Sequence, residues 1–298
     1  MKKFFKWAAI TIIVIFALIG IVFTGVFFAM KFGLTNVRGS IEERDSFFGK
    51  VPAFSFGSNA SSSGKNTEPV GNGCKDGLDQ TKPCGWSETV QWEVVKGGLS
   101  KDASVIKRVS VETGVPARMI AASVVPEQVR FFTDNREVFK RYFEPLKILA
   151  SLSQFSLGVS GIKQKTAQDI EMYANDPASQ FYPGDGMAAL FAYSSSTPDK
   201  EKELFNRLSD DKNHYYSYLY TALYLKEITA QWQKAGFDVK DRPDVLVTLF
   251  NLGFNASEPK ADPKAAGANI TIGATKYTFG TLGALFWHSD ELVVEFPR

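Results

Sequence analysis

The sequence predicts a mainly α-helical domain with a small β element towards its C-terminus, held behind an N-terminal membrane anchor. Three observations predict this. Residues 7–30 are an uncharged, largely apolar run that follows Lys2, Lys3 and Lys6. Residues 35–88 are crowded with Gly, Ser and Asn. From residue 89 onward, apolar residues recur near helical spacing between capping residues and glycines.

The anchor is read from length. A helix needs roughly 20 apolar residues to cross a bilayer core, and residues 7–30 suffice. A cleavable leader has an apolar region of about 7–15 residues followed by a small-x-small site. "FFAMKFG" offers no such site. Residues 1–34 therefore read as an uncleaved signal anchor, a transmembrane helix. The lysines before it place the N-terminus in the cytoplasm and the main domain outside, in a single-pass arrangement. Without those three lysines the chain has 31 basic and 32 acidic residues, a balance that gives no reason to expect nucleic acid as a partner.

Residues 35–88 read as a flexible tether, because "GSNASSSGKNTEPVGNG" cannot bury enough apolar surface to order itself. About 50 such residues reach roughly 35–40 Å. Cys74 and Cys84 flank a Gly- and Pro-containing loop, and in an oxidising compartment they suit a loop-closing disulfide. The only histidines, His214 and His288, lie far from both, so no metal site and no cofactor is expected.

The domain, residues 89–298, divides into helices. "SKDASVIKRVSVETG" begins with capping residues and ends at Gly114. "VPARMIAASVV" is almost wholly apolar, with Pro116 suited to a helix start, and so belongs in the core. Pro126 is expected to end it, because it lacks the amide that the helix would use. Residues 135–153 suggest another helix, and "KQKTAQDIEMYAND" a short one. "SDDKNHYYSYLYTALYLKEITAQWQKAG" is the longest, with Ser209 as its expected cap and Gly236 at its end. "RPDVLVTLFNLG" is an apolar helix closing at Gly253. The tail from residue 268 alternates with glycines and reads as a small hairpin or sheet.

Chemistry is suggested by "VVPEQVRFF", where Glu127 and Gln128 follow an apolar run. Breaking a glycosidic bond needs an acid that protonates the leaving oxygen. Val124, Val125, Phe131 and Phe132 would supply apolar surroundings, and a helix C-terminus a negative field; both favour a neutral acid. The alternative is a solvated glutamate just past a helix end. No second carboxylate stands out: Asp134 and Asp169 read as surface acids. "LGVSGIK", with Gly158, Val159 and Ser160, either lets backbone approach a ligand or is a plain turn. Asn251, in "TLFNLG" after Phe250, either bonds a ligand or bonds neighbouring backbone, since a buried amide needs partners. Tyr277, Phe279 and Trp287 read first as packing, with stacking on sugars as the alternative.

Taken together, Glu127, the stretch with Gly158, Val159, Ile162, Thr166 and Ala167, and then Asn251 with Gly253 resemble the motifs of the lysozyme-like lytic transglycosylases. This is the soluble-lytic-transglycosylase and goose-type lysozyme group. The resemblance covers roughly residues 100–255. It implies a lysozyme-like helical domain with Glu127 as the single catalytic acid/base. It also implies substrate-binding roles for Gln128, Gly158, Val159, Ser160, Phe250 and Asn251, with peptidoglycan glycan strands as the substrate. In that family the Glu first protonates the leaving oxygen. It then takes a proton from the sugar's own 6-hydroxyl, giving a 1,6-anhydro end. The sequence departs from the family at Gln128 (Ser in the family), Gly161 (Gln), Gln164 (Pro) and Phe250 (Tyr). The leading expectation is a membrane-anchored lytic transglycosylase; the replacements at Gly161 and Phe250 feed the alternative of an inactive glycan- or partner-binding module in an envelope assembly.

Overall fold

Apolar periodicity becomes eight α-helices and two small hairpins among the described residues of the computed structural model, which are 85–133, 156–210, 212–272 and 275–298. The expected anchor, most of the tether, the Cys74–Cys84 loop, Asp134 and the helix expected over 135–153 lie outside them. Among the described residues no helix is long and apolar enough to cross a membrane.

The chain enters with a 3-10 turn, Trp86–Glu88, whose Trp86 is buried against Trp92 at 4.8 Å and Phe286 at 6.4 Å. Residues 85–88, assigned from composition to the tether, thus belong to the packed body. Helix α1, Val90–Lys101, follows; Thr89 caps it by accepting from the Trp92 amide at 3.1 Å. This helix was not anticipated, because Gly97 and Gly98 obscure its pattern. Yet Trp92, Val95 and Leu99 fall on one face and are wholly buried. Helix α2, Ala103–Thr113, ends as expected at Gly114 in the left-handed conformation.

Helix α3, Ala117–Thr133, corrects an expectation. It does not stop at Pro126 but runs through it. A proline inside a helix typically costs about 3 kcal/mol through its missing amide and its clash with the preceding turn. Val124, Val125 and Val129 lie on either side of Pro126 and are all buried, so continuing the helix keeps one apolar surface in the core. Pro126 leaves the Ala122 carbonyl without its usual helical donor. The last helix comes against that carbonyl with Gly283, where a Cβ would fall 2.9 Å from the oxygen.

A tight hairpin follows: β1, Ser156–Leu157, pairs antiparallel with β2, Ile162–Lys163, with Leu157 opposite Ile162. Helix α4, Gln164–Ala174, starts directly from it. A 3-10 turn, Met187–Phe191, leads to α5, Lys200–Leu208, whose cap is Asp199. Ser209 ends α5 instead of capping the longest helix, which begins later with His214 at its cap position. That helix, α6 (Tyr215–Lys234), is buried over most of its circumference, which is the mark of a central core helix. Its N-terminus is tied to the α1–α2 junction: Asp102 takes His214 Nδ1 at 2.5 Å and the Tyr218 hydroxyl at 2.8 Å.

Helix α7, Pro243–Leu252, ends at Gly253 as expected. The anticipated tail hairpin is β3, Asn269–Ile272, against β4, Thr275–Thr278. Helix α8, Phe279–His288, was not anticipated, since glycines at 280 and 283 argued against a helix. They are there for close packing: a Cβ on Gly280 would fall 2.4 Å from the Asp244 carbonyl of α7. The segment after α8 is closed by Arg118 of α3. Its guanidinium is fully buried and donates to the carbonyls of Phe286, Trp287, Ser289, Glu291 and Phe296 at 2.6–3.1 Å.

Candidate functional site

Helix α3 carries Glu127 against the β1–β2 turn, 34 residues on in sequence. The turn is Gly158–Val159–Ser160–Gly161, closed by the Gly161 amide on the Gly158 carbonyl at 3.2 Å. Gly161 has φ +67°, a left-handed conformation that glycine adopts without penalty. Its second requirement is steric. A Cβ there would sit 2.6 Å from Glu127 Cδ and 2.8 Å from Cγ, so no other residue fits while Glu127 stands where it does.

The turn is fastened from both sides. Gln128, wholly buried, donates its side-chain amide to the Val159 carbonyl. Ser160 donates to the Ser217 carbonyl of α6 at 3.0 Å. Gly158, Val159 and Ser160 are themselves buried. Gln128, Val159 and Ser160 thus fix the turn in place, and their side chains face the protein interior. The residue of this stretch whose backbone abuts the Glu127 carboxylate is Gly161.

Glu127 is buried, with 6% of its surface exposed, and it has a charged neighbour that sequence reading missed. Arg130 Nη2 lies 2.7 Å from Glu127 Oε2, one helical turn along. The i,i+3 spacing was the available signal. The carboxylate is therefore engaged by a guanidinium inside the protein, not set in a purely apolar pocket, and no helix terminus acts at this position, because α3 continues past it. The Arg130 guanidinium also lies over the Phe279 ring, 5.7 Å from its centre.

The third motif comes near through Phe279. Asn251 Oδ1 accepts from the Ala268 amide at 2.8 Å, the backbone role left open from sequence. A Cβ on the adjacent Gly267 would lie 2.9 Å from both Asn251 Oδ1 and Phe279 Cβ. Phe279 is fully buried core, while Tyr277 and Trp287 are half-buried. Phe250 is half-buried and packs edge-on against Tyr224 at 5.5 Å. Asp169 pairs with Lys165 on α4 and lines a cleft of about 330 Å³ between the first turns of α4 and the loop after α7.

Another acid escaped sequence reading. Glu227 of α6 is fully buried, and neither carboxylate oxygen has a hydrogen-bond partner among the described residues. Burial pushes it up to about 10, with the Asp169 charge adding to the effect, so at neutral pH it is a neutral carboxylic acid. A single acid in the Tyr/Leu stripe of "YLYTALYLKEITAQWQ" was its signal. Comparison of the chain with protein-family models, with curated proteins and with solved structures gave no match to any of them.

Proposed function

We propose that the chain is a membrane-anchored enzyme that cleaves peptidoglycan glycan strands in the manner of a lytic transglycosylase, with Glu127 as its acid/base. One observation carries the reading: Glu127 and the glycine turn, far apart in sequence, are built against each other so closely that Gly161 has no space for a side chain. The family resemblance pairs a buried helix Glu with a glycine-rich stretch later in the chain; here the two stretches meet in space, at a position where the family has Gln and this chain has Gly161. Glu127 protonates the leaving glycosidic oxygen as the C1–O bond breaks. The same carboxylate then accepts the proton of the sugar's 6-hydroxyl, whose oxygen bonds to C1 and closes the 1,6-anhydro ring. For either transfer Arg130 has to move off the carboxylate.

A second reading rests on that same ion pair. A carboxylate that stays locked to Arg130 suits a module that keeps the scaffold and binds glycan without cutting it. The two readings separate in one experiment. Full-length protein in detergent and its Glu127→Gln variant are incubated with purified peptidoglycan, and soluble fragments are analysed by mass spectrometry. Anhydro-ended fragments from the parent and none from the variant are the expected result. Reducing ends would make the protein a hydrolase. Retention on wall sacks with no soluble product from either protein would favour the binding module.

A further inference from the structure

We propose that Arg130 is a latch on Glu127: it holds the carboxylate in a resting position, withdrawn into the protein, and has to let go before the acid can act. The inference rests on the glycan-cleavage reading and adds to it how that same site is regulated.

Both carboxylate oxygens are occupied. Oε2 accepts from Arg130 Nη2 at 2.7 Å, and Oε1 is directed at the Gly161 backbone, where a Cβ would overlap it. Only 6% of Glu127 is exposed. A glycosidic oxygen therefore has no approach to within the roughly 2.6–3.2 Å that proton transfer needs. The resting position exists because residue 161 is glycine. A Cβ there would stand 2.6 Å from Glu127 Cδ, so the glutamine that the family carries at this place would fill the space that the carboxylate takes.

The third motif supports a seat for the latch. The Arg130 guanidinium lies 5.7 Å from the centre of the Phe279 ring. A ring face attracts a cation, so the guanidinium keeps a partner when it leaves the carboxylate. Phe279 is wholly buried, and its amide donates to the Ala268 carbonyl at 3.0 Å. The Ala268 amide is in turn held by Asn251 Oδ1 at 2.8 Å. The charge-assisted pair is stronger than a neutral hydrogen bond, and every turnover has to break it. The break takes place with the strand bound, since the strand brings the oxygens that replace the guanidinium. The latch therefore acts on kcat and leaves KM in place.

The test follows release of anhydro-ended fragments from soluble glycan chains by full-length protein in detergent, over a range of chain concentrations. Arg130→Gln, which removes the charge, is expected to raise kcat about tenfold with KM unchanged. Arg130→Lys, which keeps a positive charge, is expected to stay within about twofold of the parent. A merely structural Arg130 gives the opposite sign. A fall in kcat of Arg130→Gln, or no change, overturns the latch and leaves glycan cleavage standing. An equal rise in Arg130→Lys overturns it too, because the ion pair is then not what holds the acid. Cleavage by Arg130→Gln where the parent cuts nothing supports the latch in its strongest form. If Arg130→Gln does not fold, Gly161→Ala takes its place. Its Cβ displaces Glu127 from the other side, so the same rise in kcat is expected, and no rise overturns the proposal. No product from the parent or from any variant overturns the glycan-cleavage reading and the latch with it.

Discussion

Arg118 and Glu227 are both sealed from solvent, and their surroundings are opposite. Arg118 points its donors at five backbone carbonyls around the end of α8 and the segment that follows, so the lost hydration is replaced by fixed dipoles. Burial, with Arg298 nearby, still pulls its guanidinium below the usual value. Glu227 has no such replacement among the described residues and gives up its charge instead. A buried charge is retained where the backbone is arranged around it; otherwise the group is neutralised.

The largest effect is expected at Arg118. Arg118→Met leaves carbonyls without their donor and frees the segment after α8. Urea unfolding is expected to show a loss of about 4 kcal/mol, with Arg118→Lys recovering only part, since three donors cannot serve five acceptors. A loss under about 1 kcal/mol would mean that the clamp contributes little.

Glu227 comes next. Its folded value of about 10 lies above its ordinary 4.5, so the folded state holds a proton that the unfolded state releases. Its contribution to stability is complete below pH 4.5 and is lost as pH rises towards about 10, at about 1.4 kcal/mol per pH unit. By pH 7 this amounts to roughly 3 kcal/mol. Glu227→Gln, which cannot ionise, is expected to gain on the parent at that slope. Parallel stability–pH curves for the two proteins would show that Glu227 finds solvent or a partner.

At Gly161 a buried carboxylate is met by backbone and by Arg130. Gly161→Ala is expected to cost roughly 2 kcal/mol, from the left-handed conformation and from the contact with Glu127. In a Glu127→Ala background the contact is gone, and about 1 kcal/mol should remain. Equal costs in both backgrounds would mean that the turn does not depend on Glu127.

Much of the fold was legible from particular residues. Gly114, Gly236 and Gly253 marked helix ends, and the alternation after residue 268 marked a hairpin. What misled were residues whose local preference lost to packing. Pro126 argued for a stop, yet buried valines on both sides held the helix together. Gly280 and Gly283 argued against a helix, yet their missing side chains let α8 lie close to α7 and α3. At the candidate site, Glu127 and the glycine turn were visible as separate motifs, and Asn251 as an amide needing a partner. Arg130 is one helical turn from Glu127, but a pair at that spacing on an exposed helix face would look the same in sequence, and only burial makes it consequential.

The helical class, most element ends and the candidate motifs around Glu127, Gly158 and Asn251 follow from local periodicity and backbone preference, and so were readable in the sequence. It took the tertiary structure to show that Glu127 meets Gly161, that Arg118 closes the C-terminal segment, and that Glu227 has no hydrogen-bond partner among the described residues. Those are contacts between residues distant in the chain or matters of what surrounds a group, and their energies depend on exclusion from water. A linear pattern carries no record of which face closes over which charge.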